Sequence, residues 1–158
     1  MILRQFIGKN GPWIASIILM ILIFYFSSIP GEEIGQVNDA IIRESVTILP
    51  EGAPNSFFMD MTWLKSGHVI GYGLLGITLF LGFFQVGRFP LLWSTFTALL
   101  YAISDEVHQS FVPGRSGAAL DVVLDTAAAL ICAGLVGILI TINQRIKLRE
   151  KVKGTQRG

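Results

Sequence analysis

Eleven consecutive residues hold the densest group of chemically capable side chains in this chain. Asp105 to Arg115 contains two carboxylates (Asp105, Glu106), an imidazole (His108), an amide (Gln109) and a guanidinium (Arg115). Apolar runs flank the stretch, Phe89 to Leu100 before it and Ala118 to Thr141 after it. Ionisable groups near hydrocarbon carry a large desolvation penalty and tend to mark function. Arriving as a group, they can satisfy one another. Two smaller sets lie elsewhere: Lys65, His68 and Tyr72, and Asp121 with Asp125. His68 and His108 could serve as general acid and base, with Asp105 or Asp125 orienting an imidazole. Lys65 and Arg115 could hold a phosphate, and Tyr72, Gln109 and Asp121 would complete a substrate-binding lining. Were a divalent metal bound, His68, His108, Asp105 and Asp121 would be its ligands, since two imidazoles and carboxylates suit zinc. The spacing does not call for one, because His-Glu-x-x-His is absent and Cys132 is the only cysteine.

The elements that must position these groups read as membrane helices. Of 158 residues, 52% are hydrophobic and 15% charged, with a mean hydropathy of +0.62. A soluble domain carries about 25% charged residues. A net charge of +1 with no basic stripe argues against a nucleic-acid partner. We expect one all-α membrane domain over 1–158, with four transmembrane helices at about 12–29, 65–86, 89–109 and 118–142. The run from Pro12 to Ile29 has no charge, and no small-x-small site follows it, so we read it as a retained helix and not a signal peptide. A long acidic loop, 31–62, joins the first two helices, with a short membrane-surface helix and a lid as weaker readings of it. Phe57, Phe58 and Trp63 suit the headgroup layer. Arg4, Lys9, Arg88 and the basic tail 143–158 fall on one side, which places both termini in the cytoplasm and the acidic loop and the Asp105–Arg115 stretch outside.

Helical rise converts this topology into depth. His68 is twenty residues from Arg88, Asp105 seventeen, and Asp125 twenty from Arg145. Those separations are roughly 26–30 Å, against a hydrocarbon core of about 30 Å. Three helices therefore lift ionisable groups to one outer layer. The spacings of three and four in Lys65/His68/Tyr72 and in Tyr101/Asp105/His108/Gln109, and of four in Asp121/Asp125, give each helix one polar stripe. Such stripes should turn toward one another and form a pocket, with Ser27 and Ser28 at its rim. Glu106 lies off the stripe, as a cap or facing water. The plainer reading is interhelical glue, Asp105 with Arg115 or His108 with Asp121. Gly67, Gly71 and Gly73 leave room for a close helix neighbour, Gly134 and Gly137 mark a weaker packing face, and Cys132 reads as a small buried hydrophobe.

These residues also carry a resemblance. Lys65-x-x-His68-x-x-x-Tyr72-x-x-Leu75-Gly76, followed by Tyr101-x-x-x-Asp105-Glu106-x-His108-Gln109-x-Phe111-x-Pro113-Gly114-Arg115 and an Asp-bearing apolar helix, resembles the VanZ-like family. Phe26-Ser27-Ser28-x-Pro30 fits the end of its first helix. The family's Asp shortly after the Arg is met by Asp121, and Asp125 stands where many members have Asn or Asp. The resemblance implies a link to low-level resistance to the lipoglycopeptide teicoplanin, without an altered cell-wall precursor.

The expected function is therefore a polar pocket at the outer leaflet of a bacterial cytoplasmic membrane. It would act on or bind a membrane lipid or lipid-linked cell-wall precursor. A hydrolase or transferase using His and Asp is one form. A non-catalytic binder of lipid or antibiotic, or a structural cluster, is the alternative.

Overall fold

The computed structural model describes residues 2–33, 36, 63–115 and 117–155. Four helices account for most of them: α1 (Ile2–Ser27), α2 (Trp63–Val86), α3 (Pro90–Gln109) and α4 (Ala119–Thr155). No strand occurs among the described residues. Most of the acidic loop, with the surface helix and lid read into it and Phe57 and Phe58, lies outside the described residues. So do the side chains of Trp63 and Lys65.

Among the described residues, three stretches are long and apolar enough to cross a membrane: Gly8–Ser27, Gly67–Val86 and Ala119–Lys153. Helix α3 has 20 residues but carries Ser94, Thr95, Thr97, Ser104 and the polar group at its end, which dilutes its apolar character. Large apolar side chains cover the outside, including Ile17, Ile21 and Leu22 on α1 and Ile131, Leu135 and Ile138 on α4. A chain that shows these side chains outward and buries Ser27, Asp105, Gln109 and Asp125 is built for a lipid solvent.

Helix α2 is the centre of the fold and packs on all three others, while α1 leans chiefly on α2. The interior is made of Tyr72, Leu75 and Leu79 from α2, Ala98 and Ala102 from α3, Ala129 from α4 and Ile23 from α1. The alanines let backbones approach. In the helical interior the tightest of these glycine contacts is at Gly76, where an added Cβ would sit 2.3 Å from the Ala129 carbonyl oxygen. Gly71 faces Ile23 of α1 and Gly73 faces the Cys132 sulfur of α4, as the small-residue pattern anticipates, whereas Gly67 and Gly134 meet nothing within 4 Å. Lower down, Ser16 Oγ and Thr78 Oγ1 lie 2.9 Å apart, tying α1 to α2, and Trp13 stacks edge-on against Phe83.

Two helix boundaries differ from the sequence reading. Helix α1 begins well before Pro12, whose ring is accommodated inside it while Ser16 donates back to the Pro12 carbonyl. Helix α4 continues to Thr155. The apolar run ends near Ile142, but Asn143 to Lys153 contains no Gly or Pro and is rich in Arg, Lys, Leu and Ile, so helix propensity outlasts hydrophobicity. Between α2 and α3 the turn uses Gly87 at φ 149° and Phe89 in the left-handed region, followed by Pro90 in the first turn of α3.

Candidate functional site

The polar side chains gather where the last turn of α1, the first turns of α2 and α4 and the end of α3 come together. Each helix contributes at least one group: Ser27 from α1, His68 from α2, Asp105 and Gln109 from α3, Asp125 from α4. All but His68 are 4% exposed or less, and the His68 side chain is 12% exposed.

Asp105 is the hub. Its Oδ2 accepts from Ser27 Oγ at 2.9 Å and from Gln109 Nε2 at 3.1 Å, and lies 3.6 Å from His68 Nδ1. The Oδ2 of Asp125 is 3.7 Å from the same His68 nitrogen. On the other side of the ring, His68 Nε2 is 3.5 Å from Ser27 Oγ. One imidazole is thus shared between a hydroxyl and two carboxylates. Asp105 Oδ1 and the Tyr72 hydroxyl are buried and find no hydrogen-bond partner among the described residues. The Tyr72 ring stacks on His68 with 6.3 Å between centroids and is wholly buried. Tyr101, on the same α3 stripe, donates its hydroxyl to the Met20 carbonyl of α1.

A second set of contacts fixes the end of α1. Arg115 Nη1 donates to the carbonyl oxygens of Phe26 and Ser27 at 3.3 and 3.4 Å. These are carbonyls of the last turn of α1, of which that of Phe26 also accepts from the Ile29 N–H, and a cation there suits the negative end of the helix dipole. Gly31 N–H donates to the Pro113 carbonyl, and the backbone at Gly31 lies so close to Gly114 that a Cβ would overlap it. Gly114 itself has φ +72°, a conformation that glycine adopts freely. The Pro113-Gly114-Arg115 turn is thereby a strap across the C-terminal end of α1.

His68, Asp105, Gln109 and Asp125, expected together, are together. His108 is not among them. It lies toward α1, with Nε2 3.0 Å from Ser28 Oγ and its ring stacked 4.3 Å from Phe24. Asp121 sits part-buried one turn before Asp125. The proposed metal set of His68, His108, Asp105 and Asp121 is not assembled, and among the described residues no three His, Cys, Asp or Glu side chains are grouped to hold an ion. Arg115 and His108, suggested as the partners of Asp105 and Asp121, instead contact α1. Glu106 proves to be a cap: buried, with Oε2 accepting from the Ala118 N–H at 2.8 Å where α4 begins. Ser27, expected at the rim, stands at the centre with 0% exposure.

No curated protein and no solved structure matches the chain. A family model does: residues 12–140 match VanZ/LLP1, a range that holds every residue of the cluster and of the strap. The chain is a member of the VanZ/LLP1 family.

Proposed function

We propose that this chain is a multi-pass protein of the bacterial cytoplasmic membrane whose polar cluster acts on a lipid or lipid-linked cell-envelope molecule, and that this activity lowers susceptibility to teicoplanin. In this reading α3 crosses the membrane with the other three helices, both termini are cytoplasmic, and the cluster lies at the outer leaflet. The observation that carries it is the convergence of four helices on one imidazole, with a hydroxyl at 3.5 Å and carboxylates at 3.6 and 3.7 Å. Apolar residues would pack the same helix ends at least as well, since replacing buried charged groups by well-fitted apolar ones is often neutral or stabilising. Retention of such a group in a lipid solvent favours a chemical or binding role. His68 is the natural acid–base group, Asp105 and Asp125 its orienting carboxylates, and Tyr72 and Gln109 the neutral groups facing the ligand.

Comparative mass spectrometry of lipids and cell-wall precursors tests this. Cells making the protein should show an altered lipid or precursor species, and His68→Ala should restore the profile of cells lacking it along with teicoplanin susceptibility. Resistance lost in His68→Ala with no change in any lipid would establish the non-catalytic binder instead. Resistance and lipid profile both indifferent to His68→Ala would reduce the cluster to structure and overturn the proposal.

A further inference from the structure

Resting on the reading above and extending it, we infer that Ser27 is the nucleophile of an acyl-ester transfer site, with His68 as its base and Asp125 orienting the imidazole. Ser27 Oγ lies 3.5 Å from His68 Nε2, and the opposite ring nitrogen lies 3.7 Å from Asp125 Oδ2. With the Nδ1 proton turned to Asp125, Nε2 presents its lone pair to the serine. This is the arrangement in which a hydroxyl is activated by a base that a third group holds in place. At rest the Ser27 proton points to Asp105 at 2.9 Å. Rotation about the Cβ–Oγ bond redirects it to His68 without moving the oxygen.

The reaction balances with water as co-reactant. Ser27 Oγ bonds to the ester carbonyl carbon as its proton passes to His68 Nε2. The carbonyl electron pair moves to oxygen and returns as the acyl–oxygen bond breaks, and the departing alcohol takes the proton from His68. Water then attacks the acyl-serine, gives a proton to His68, and the acyl–Oγ bond breaks to return that proton to Ser27 and free a carboxylic acid. The developing oxyanion needs donors. The Tyr72 hydroxyl is buried beside His68 and has no partner among the described residues, and the Gln109 amide nitrogen is 3.5 Å from Ser27 Oγ.

Substrate class follows from charge and depth. Asp105 and Asp125 would repel an anionic phosphodiester at the reacting position, whereas a neutral carboxylic ester is not repelled. Ser27 closes a 20-residue apolar stretch, Gly8–Ser27, roughly 30 Å of helix, which puts its oxygen at the edge of the hydrocarbon. Glycerolipid ester carbonyls occupy that boundary. Access requires the strap of Gly31, Gly114 and Arg115 to release the end of α1.

The test uses the full chain in phospholipid vesicles, treated with a long-chain alkyl fluorophosphonate and mapped by peptide mass spectrometry. A single adduct on Ser27 is expected, absent in the near-isosteric Ser27→Cys and formed at least about tenfold more slowly in His68→Gln, as loss of a general base requires. Unchanged unfolding temperatures would show that both variants are folded. An adduct on Ser28 instead, none on wild type, or a rate indifferent to His68→Gln would overturn the assignment. An altered lipid profile in cells without any Ser27 adduct would overturn the nucleophile alone and leave the proposed function standing.

Discussion

In Asp105→Ala the thermal unfolding temperature in detergent micelles is expected to fall by on the order of 10 °C, with loss of activity. The Ser27 hydroxyl and the Gln109 amide both donate to Asp105 Oδ2, in surroundings where Ser27 is 0% and Gln109 4% exposed. A buried donor stripped of its acceptor costs about 1–3 kcal/mol, so two such donors cost about 2–6 kcal/mol together. At roughly 2–4 °C per kcal/mol for a chain of this size, the shift is easily read by differential scanning fluorimetry. Asp105→Asn separates stability from chemistry. Its amide oxygen still accepts both bonds, so the fold should be largely kept. It carries no charge to pair with His68, so activity should fall by about a hundredfold or more. An Asp105→Ala protein as stable as wild type would mean that the longer contacts of Ser27 with His68 and of Gln109 with Ser27, both 3.5 Å, replace those bonds fully and that Asp105 is not the hub.

Gly76→Ala is expected to be the most damaging single methyl group that can be added to α2. The new carbon would lie 2.3 Å from the Ala129 carbonyl oxygen and 2.6 Å from the Ala129 Cα. Those are backbone atoms, so no side-chain rotation relieves the overlap, and α2 and α4 must separate. Overpacking in a well-filled interior costs about 1–3 kcal/mol, and a backbone clash belongs at the upper end. The functional effect should exceed the loss of stability, because α2 carries His68 and α4 carries Asp125, one turn from Ala129. Widening that helix pair lengthens the 3.7 Å His68–Asp125 contact directly. Gly134→Ala is the matched comparison: it adds the same methyl on α4 where nothing lies within 4 Å, and should be neutral or slightly stabilising through helix propensity. Equal unfolding temperatures for the two variants would contradict the close α2–α4 approach.

The sequence disclosed more of the depth of the site than of its rotation. Counting residues from Arg88 and Arg145 places His68, Asp105 and Asp125 in one layer, because helical rise is fixed by the backbone and hardly depends on packing. Which way each side chain turns within that layer depends on how neighbouring helices roll against one another. On α3, Gln109 is about 40° from Asp105 around the axis and His108 about 60° the other way. That difference is enough to put Gln109 in the cluster and His108 against Ser28 and Phe24 of α1. Ser27 was legible as lying at the right height, but a serine in an apolar helix is ordinary, and only the roll of α1 distinguishes the central Ser27 from Ser28 beside it. The partners of Arg115 leave no trace in sequence at all, since they are main-chain carbonyls. Gly76 was visible as one of several glycines, and only the position of α4 singles it out.

The central claim is that the cluster sits at the outer end of a bundle that α3 crosses together with its neighbours. Single cysteines in a Cys132→Ala background test it most directly. Phe111, 80% exposed just beyond α3, marks the cluster end, and Arg88, before α3 begins, marks the other. With a membrane-impermeant maleimide on intact cells, Phe111→Cys should label at once and Arg88→Cys only after the membrane is permeabilised. Labelling of both from outside, or of Arg88→Cys alone, would contradict the account.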